Sequence, residues 1–146
     1  MGWLPIPEYA MTDPFSSRMA ELDALVERCR NAGAFGSGVV RDTSHRSGRD
    51  WAWWSFEVEQ TEVDGADRRR RTAQIHLNSP APGTPSVFEG QWFARIWRGE
   101  NTDSFREKGS WPLPWQTPSA AELQAAVAAL MSAADEAIRS GSQRDG

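Results

Sequence analysis

The sequence contains little cysteine, little histidine and no long hydrophobic run, and each shortage excludes a class of protein. The single cysteine, Cys29, rules out an internal disulfide and argues against a zinc site built from cysteines. No apolar run approaches the ~20 residues that a membrane-spanning helix needs. The first residues also lack the basic and apolar parts of a signal peptide. We therefore expect a cytoplasmic protein with no cofactor, no metal and no membrane contact.

Lysine is almost absent too, and the charge balance is acidic. Lys108 is the only lysine, the net charge is −4 and the pI is about 5.2. An acidic balance argues against a general nucleic-acid binder. The preference for arginine over lysine is typical of GC-rich bacterial genomes, so we expect a bacterial source.

Tryptophan is abundant, with eight residues in a chain of 146. Burying an aromatic side chain removes ~150–250 Å² from water, so most of these rings should lie in the core. A chain of this length and composition fits one globular domain. Any tryptophan left outside the core is then a candidate for binding.

Two helices are predicted, one at each end of the domain. Prolines make residues 1–13 an extended arm, and a helix begins at Pro14 and ends near Asn31–Gly33. The last helix begins at Thr117-Pro118 or at the capping box Ser119–Glu122. Residues 140–146 should form a frayed tail, which leaves 14–139 as the domain.

The central part of the sequence predicts β-strands. A short strand near Val39–Thr43 precedes a turn at 45–50, and three longer segments then alternate between apolar and polar residues. These segments are Trp51–Gln60, Arg69–Asn78 and Val87–Arg98. The stretch 99–110 is polar, and the prolines of Trp111–Trp115 predict an extended path.

The dipeptide Asp64-Gly65 predicts a two-residue hairpin turn. That turn places Trp54 opposite Ile75 and Trp53 opposite His76, with each apolar residue facing another. Arg71 is then the one charged residue that points inward, where it could extend along its own stem towards water.

Together these elements predict an α+β, two-layer fold: an antiparallel sheet of about four strands in meander order, flanked by an N-terminal and a C-terminal helix. Both helices should cover the sheet face that carries Trp54, Phe56 and Ile75. The opposite face is the candidate site, because a solvated sheet face is normally polar throughout and this one carries large aromatic rings among charges. The candidate binding residues are Trp51, Trp53, Glu57, Glu59, His76, Phe93, Arg95 and Trp97. As an alternative, the arm or Trp111–Trp115 folds over these rings and makes a second small core.

No catalytic, nucleophilic or phosphate-binding motif is present, so we expect a non-enzymatic module that binds another protein, of the inhibitor, immunity or adaptor type. Glu57 and Glu59 would match a basic partner. The alternative is a small-molecule or carbohydrate-binding protein, or an enzyme, that uses the same face with His76 and Glu57. The run Arg68–Arg71 suggests nucleic-acid binding, but ion pairs across the hairpin explain it adequately.

Overall fold

A computed structural model describes residues 14–47, 51–79, 87–99 and 102–145. The predicted arm, 1–13, lies outside the described residues. Two helices and six strands follow one another along the chain: α1 (Pro14–Asn31), β1 (Val39–Val40), β2 (Ser44–Ser47), β3 (Ala52–Asp64), β4 (Asp67–Ser79), β5 (Val87–Arg98), β6 (Thr102–Leu113) and α2 (Ala120–Asp145).

The strands form one antiparallel sheet in which β3, β4, β5 and β6 are neighbours in chain order, and β1 and β2 both pair with the outer edge of β3. This confirms the α+β two-layer fold, with six strands in place of about four. The predicted turn at 45–50 is wrong as far as Ser47, because β2 uses the hydrogen-bonding edge that β3 presents there. The polar stretch after residue 99 likewise belongs to a strand, β6, which pairs with β5 from Phe88 to Arg98.

The β3–β4 hairpin turns one residue later than the sequence predicts. Asp64 pairs with Asp67, so Gly65 and Ala66 form the loop, and Gly65 has a φ of 63° that suits glycine. The predicted pairs are therefore wrong by two residues: Trp54 lies opposite Leu77, and Trp53 lies opposite Asn78. A shift of two preserves side-chain alternation, so each residue stays on its predicted face.

Helix α1 buries an apolar stripe whose residues recur at spacings of three and four: Met19, Leu22, Val26 and Cys29. It ends in a Schellman arrangement: the amides of Gly33 and Ala34 donate to the carbonyls of Arg30 and Cys29, at 3.0 Å each, and Gly33 has a φ of 70°.

Helix α2 begins with the predicted capping box. The Ser119 amide donates to Glu122 Oε1 at 3.0 Å, and the Glu122 amide donates to Ser119 Oγ at 3.1 Å. The helix runs to Asp145, so the frayed tail predicted from residue 140 is helical for most of its length. The Phe105 ring packs closely against this added turn at Gly141, where a Cβ would lie only 2.7 Å from the ring.

Both helices pack on one face of the sheet, called here the helix-side face. On it, Trp54 is 1% exposed and its indole N–H donates to Asp23 Oδ1 of α1 at 2.8 Å, so a buried polar group is satisfied. Gly90 lets α2 approach the sheet, since a Cβ there would lie 3.1 Å from the Leu130 side chain. The sheet residues of this core are Ala52, Trp54, Phe56, Val58, Ala73, Ile75, Leu77, Phe88, Ala94, Ile96 and Leu113.

Arg71 also lies on the helix-side face, but it is held by ion pairs instead of reaching water alone. Its guanidinium contacts Asp135 of α2 at 2.9 Å and Glu62 at 3.3 Å. Arg71 therefore ties the hairpin to the C-terminal helix.

Candidate functional site

The opposite face of the sheet, called here the open face, carries the side chains that alternate with the core. Neither helix packs on it. Along the four long strands it comprises Trp53, Ser55, Glu57, Glu59, Thr61 and Val63 of β3; Arg68, Arg70, Thr72, Gln74, His76 and Asn78 of β4; Val87, Glu89, Gln91, Phe93, Arg95 and Trp97 of β5; and Arg106, Lys108, Ser110 and Pro112 of β6. All the predicted site residues within the strands lie here. Trp51 immediately precedes β3 and is 46% exposed.

One end of the open face is organised around Trp53. The Arg46 guanidinium lies 5.0 Å from the centre of the indole, within the range of a cation–π contact. The His76 ring stacks at 6.2 Å with an interplanar angle of 27°, and His76 Nε2 lies 3.7 Å from Glu89 Oε1. Trp53 and His76 thus meet diagonally across two strands and not as the direct pair that the sequence predicts.

The other end is organised around Trp97. The guanidinium groups of Arg70 and Arg95 lie 5.1 and 4.7 Å from the centre of its indole. Each contact is a cation–π interaction that fixes a long, flexible side chain at a defined position. Trp97 therefore serves as a platform for two arginines.

The two carboxylates of the predicted site are both engaged by neighbouring side chains. Glu57 accepts a hydrogen bond from Gln74 Nε2 at 2.9 Å. Glu59 lies between Arg41, at 2.7 Å, and Arg70, at 3.4 Å. The hydrogen bond to Glu59 is the main cause that raises the pKa of the Arg41 guanidinium above its ordinary value.

Between the two ends, the open face forms a half-open groove of about 520 Å³. Thr72, which is 7% exposed, and Phe93 lie side by side on β4 and β5 along it. Its lining residues are Glu57, Glu59, Arg70, Thr72, Phe93, Ala94, Arg95, Arg106, Glu107 and Lys108. A volume of this size suits a small ligand or an inserted segment of a partner.

Three arginines lie in direct register across this groove. Arg70 pairs with Arg95 and Arg95 pairs with Arg106, on three consecutive strands. Directly paired residues lie about 4.5–5.5 Å apart at Cα. We call these three residues the arginine row. Three like charges side by side on neighbouring strands concentrate positive charge in this part of the open face.

The exposed apolar residues also point to the open face. In the described part of the chain, the exposed large hydrophobic residues are Val39, Trp51, Val63 and Val87. Val39 pairs with Glu59, Val87 pairs with Asn78, and Val63 alternates with the core residues of β3. Trp51 precedes the strand in the same phase. The apolar surface that the fold leaves in water is therefore gathered on one side of the sheet.

The segment Trp111–Trp115 does not cover the open face. Trp111 lies opposite Gly90 and packs, with Trp115, against the core of the helix-side face. The ring of Trp115 meets Phe88 edge-on at 5.5 Å. The alternative in which this segment seals the aromatic rings is therefore wrong, and the version that uses residues 1–13 falls outside the described residues.

The remaining candidates have partners of their own. His76 contacts Trp53 and Glu89, and Glu57 contacts Gln74, so the two residues of the proposed acid–base pair lie on one face with different partners. Cys29 is buried on α1, and desolvation raises the pKa of its thiol. Within the described ranges, no cluster of three or more His, Cys, Asp or Glu residues could hold a metal, and no helix is long and apolar enough to span a membrane.

Strand β6 contributes two site residues that the sequence does not predict. Arg106 and Lys108 line the groove, and they lie in the stretch 99–110, which the sequence shows only to be polar. The signal for a strand here was the alternation of residues that face the core, namely Phe105, Gly109, Trp111 and Leu113. It was weak because glycine, a residue disfavoured in strands, occupies one apolar position.

The fold and the groove together define a two-layer α+β protein with an aromatic and arginine-rich sheet face that no helix or strand of the described residues covers. No protein-family model, curated protein or solved structure matches the chain.

Proposed function

We propose that the protein is a non-enzymatic binding module that docks another protein onto the open face. The observation that carries this proposal is the gathering of all four exposed large hydrophobic residues of the described chain on the face that also holds Trp53, Phe93 and Trp97. Tryptophan and arginine dominate the hot spots of protein interfaces. Here both are prearranged, because each tryptophan already holds a guanidinium against its ring.

We place this function in the bacterial cytoplasm, as an inhibitor, immunity factor or adaptor. The free thiol of Cys29 suits a reducing compartment. Immobilising side chains on binding costs free energy, and rings already fixed by cation–π contacts have less freedom to lose. A rigid, partly apolar face is therefore suited to holding one partner tightly.

Affinity capture from the native cell lysate, followed by reconstitution with the purified captured protein, tests the proposal. Trp53→Ala and Trp97→Ala should each weaken the reconstituted complex by about thirtyfold, the effect of an interface hot spot. Arg28→Ala, on the exposed side of α1, is the matched control and should leave the affinity unchanged. Full affinity in both tryptophan variants would contradict the proposal.

The groove supports a second candidate, a small-molecule site. Its volume of about 520 Å³ lies within the range of ligand pockets, ~300–1,000 Å³, and Phe93 offers an aromatic surface next to polar groups. Tryptophan fluorescence titrated with sugars, nucleotides and aromatic metabolites should then change in the wild type and not in Phe93→Ala. A flat titration across all three classes would remove this candidate.

A further inference from the structure

We infer that the arginine row is a carboxylate-binding site, and that the partner docked on the open face presents an acidic segment to it. This inference rests on the proposed function and adds the chemistry of the partner. It reverses the polarity that the sequence suggests, in which Glu57 and Glu59 match a basic partner.

The charges in the groove favour an anion. Side chains alternate along β6, so Arg106 and Lys108 point to the open face while Glu107, between them, is directed to the other face. The charged residues that line the groove are Arg70, Arg95, Arg106 and Lys108 against Glu57, Glu59 and Glu107, so four positive charges meet three negative ones, and only two of the three carboxylates lie on the open face. A local excess of positive charge in a protein of net charge −4 is a feature of this site and not of the whole molecule.

The guanidinium groups of Arg70 and Arg95 are held in defined positions. Trp97 holds Arg70 and Arg95 by cation–π contacts, so their guanidinium groups are fixed before a ligand arrives. Arg70 Nε is buried and makes no hydrogen bond among the described residues, because Glu59 approaches it at 3.4 Å outside hydrogen-bond geometry. Guanidinium groups bind carboxylates in charge-assisted, often bidentate, pairs, and a carboxylate between neighbouring strands would also relieve the repulsion within the row.

An acidic protein segment fits the site better than a nucleic acid. Single-stranded nucleic acids need free aromatic faces on which bases stack. At this end of the open face the Trp97 ring is already occupied by guanidinium groups.

Fluorescence anisotropy with labelled decaglutamate tests the inference, with single-stranded oligothymidylate of equal charge as the competing probe. Decaglutamate should bind at an ionic strength of about 20 mM and weaken as salt is raised to about 150 mM. The double variant Arg95→Gln/Arg106→Gln should reduce this affinity by about tenfold or more. The control Arg28→Gln/Arg30→Gln removes the same charge from the exposed side of α1 and should reduce it by less than about twofold.

Three results would overturn the inference: no binding of decaglutamate, equal losses in the two double variants, or tighter binding of oligothymidylate. The second would show attraction by net charge alone, and the third would show a phosphodiester site. Urea unfolding of each variant checks that the fold is intact. If decaglutamate fails while Trp53→Ala and Trp97→Ala still lose the captured partner, then only the carboxylate inference fails and the docking proposal stands.

Discussion

The two faces of the sheet come from the same strands, but they carry different kinds of side chain. On the helix-side face, Val58, Ala73, Trp92 and Gly109 lie in one row across four strands, so that large and small side chains fit together. The neighbouring row, on the open face, consists of Glu59, Thr72, Phe93 and Lys108. The first row is explained by packing, whereas the second row is the one to which we assign binding.

This difference separates the residues that stabilise the fold from the residues to which we assign binding. Substitutions on the helix-side face should change the free energy of unfolding, whereas substitutions on the open face should change binding. Substitution of a core residue can be compared with substitution of a neighbouring open-face residue, or with the same substitution in a second variant.

Phe56→Ala should have the largest effect and lower the free energy of unfolding by about 3–5 kcal/mol. Its ring is 1% exposed and contacts the rings of Phe35 and Trp54 at 5.8 and 5.6 Å. Thr61→Ala, on the open face of the same strand, should change the unfolding free energy by less than about 0.5 kcal/mol. Urea denaturation measures both, and similar values for the two variants would remove the distinction between the faces.

Asp23→Ala should cost about 1–3 kcal/mol, because it leaves the buried indole N–H of Trp54 without its acceptor. In a Trp54→Phe background the same substitution should cost much less, since the donor is gone. A double-mutant cycle from urea unfolding gives the coupling. An equal cost of Asp23→Ala in both backgrounds would show that the hydrogen bond does not link α1 to the sheet.

Gly109→Ala should cost about 1–2 kcal/mol, because an added Cβ would lie 2.5 Å from Nε1 of Trp92. Its neighbour Ser110 lies on the open face and is exposed, so Ser110→Ala should be close to neutral. Thermal unfolding of the pair gives the comparison. A neutral Gly109→Ala would mean that Trp92 can move without loss.

Cys29 should show the smallest effect, a change in reactivity without a change in stability. Burial raises the pKa of its thiol, so at pH 8 less thiolate is present than for an unfolded chain. Iodoacetamide should therefore label the native protein much more slowly than the protein in urea, as mass spectrometry would report. Equal rates would place Cys29 outside the core.

Local sequence patterns predicted the elements that bury a clear stripe or alternate cleanly. The stripe of α1, the capping box of α2 and the two faces of β3 follow from spacing alone, because periodicity decides which side chains meet a core. The hairpin register was wrong because loops at Asp64-Gly65 and at Gly65-Ala66 give the same face assignment. The pairing of Asp64 with Asp67 distinguishes the two.

The candidate site was less accessible to sequence reasoning, because it depends on pairing between distant strands. Trp53, Phe93 and Trp97 could be assigned to one face from alternation within their own strands. The arginine row could not be, since it requires the register of three strands, including a β6 whose pattern is interrupted by Gly109. Long-range register is a tertiary property that local spacing does not encode.

Trp53 and Trp54 offer the most direct measurement, because two adjacent tryptophans lie on opposite faces of one strand. Trp54→Ala should lower the free energy of unfolding by about 3–5 kcal/mol. Trp53→Ala should lower it by no more than about 1.5 kcal/mol, mainly through lost contact with Arg46 and His76, while it weakens the complex with the partner by about thirtyfold. Equal destabilisation by the two substitutions, or intact capture by a folded Trp53→Ala variant, would contradict the division of the sheet into a folding face and a binding face.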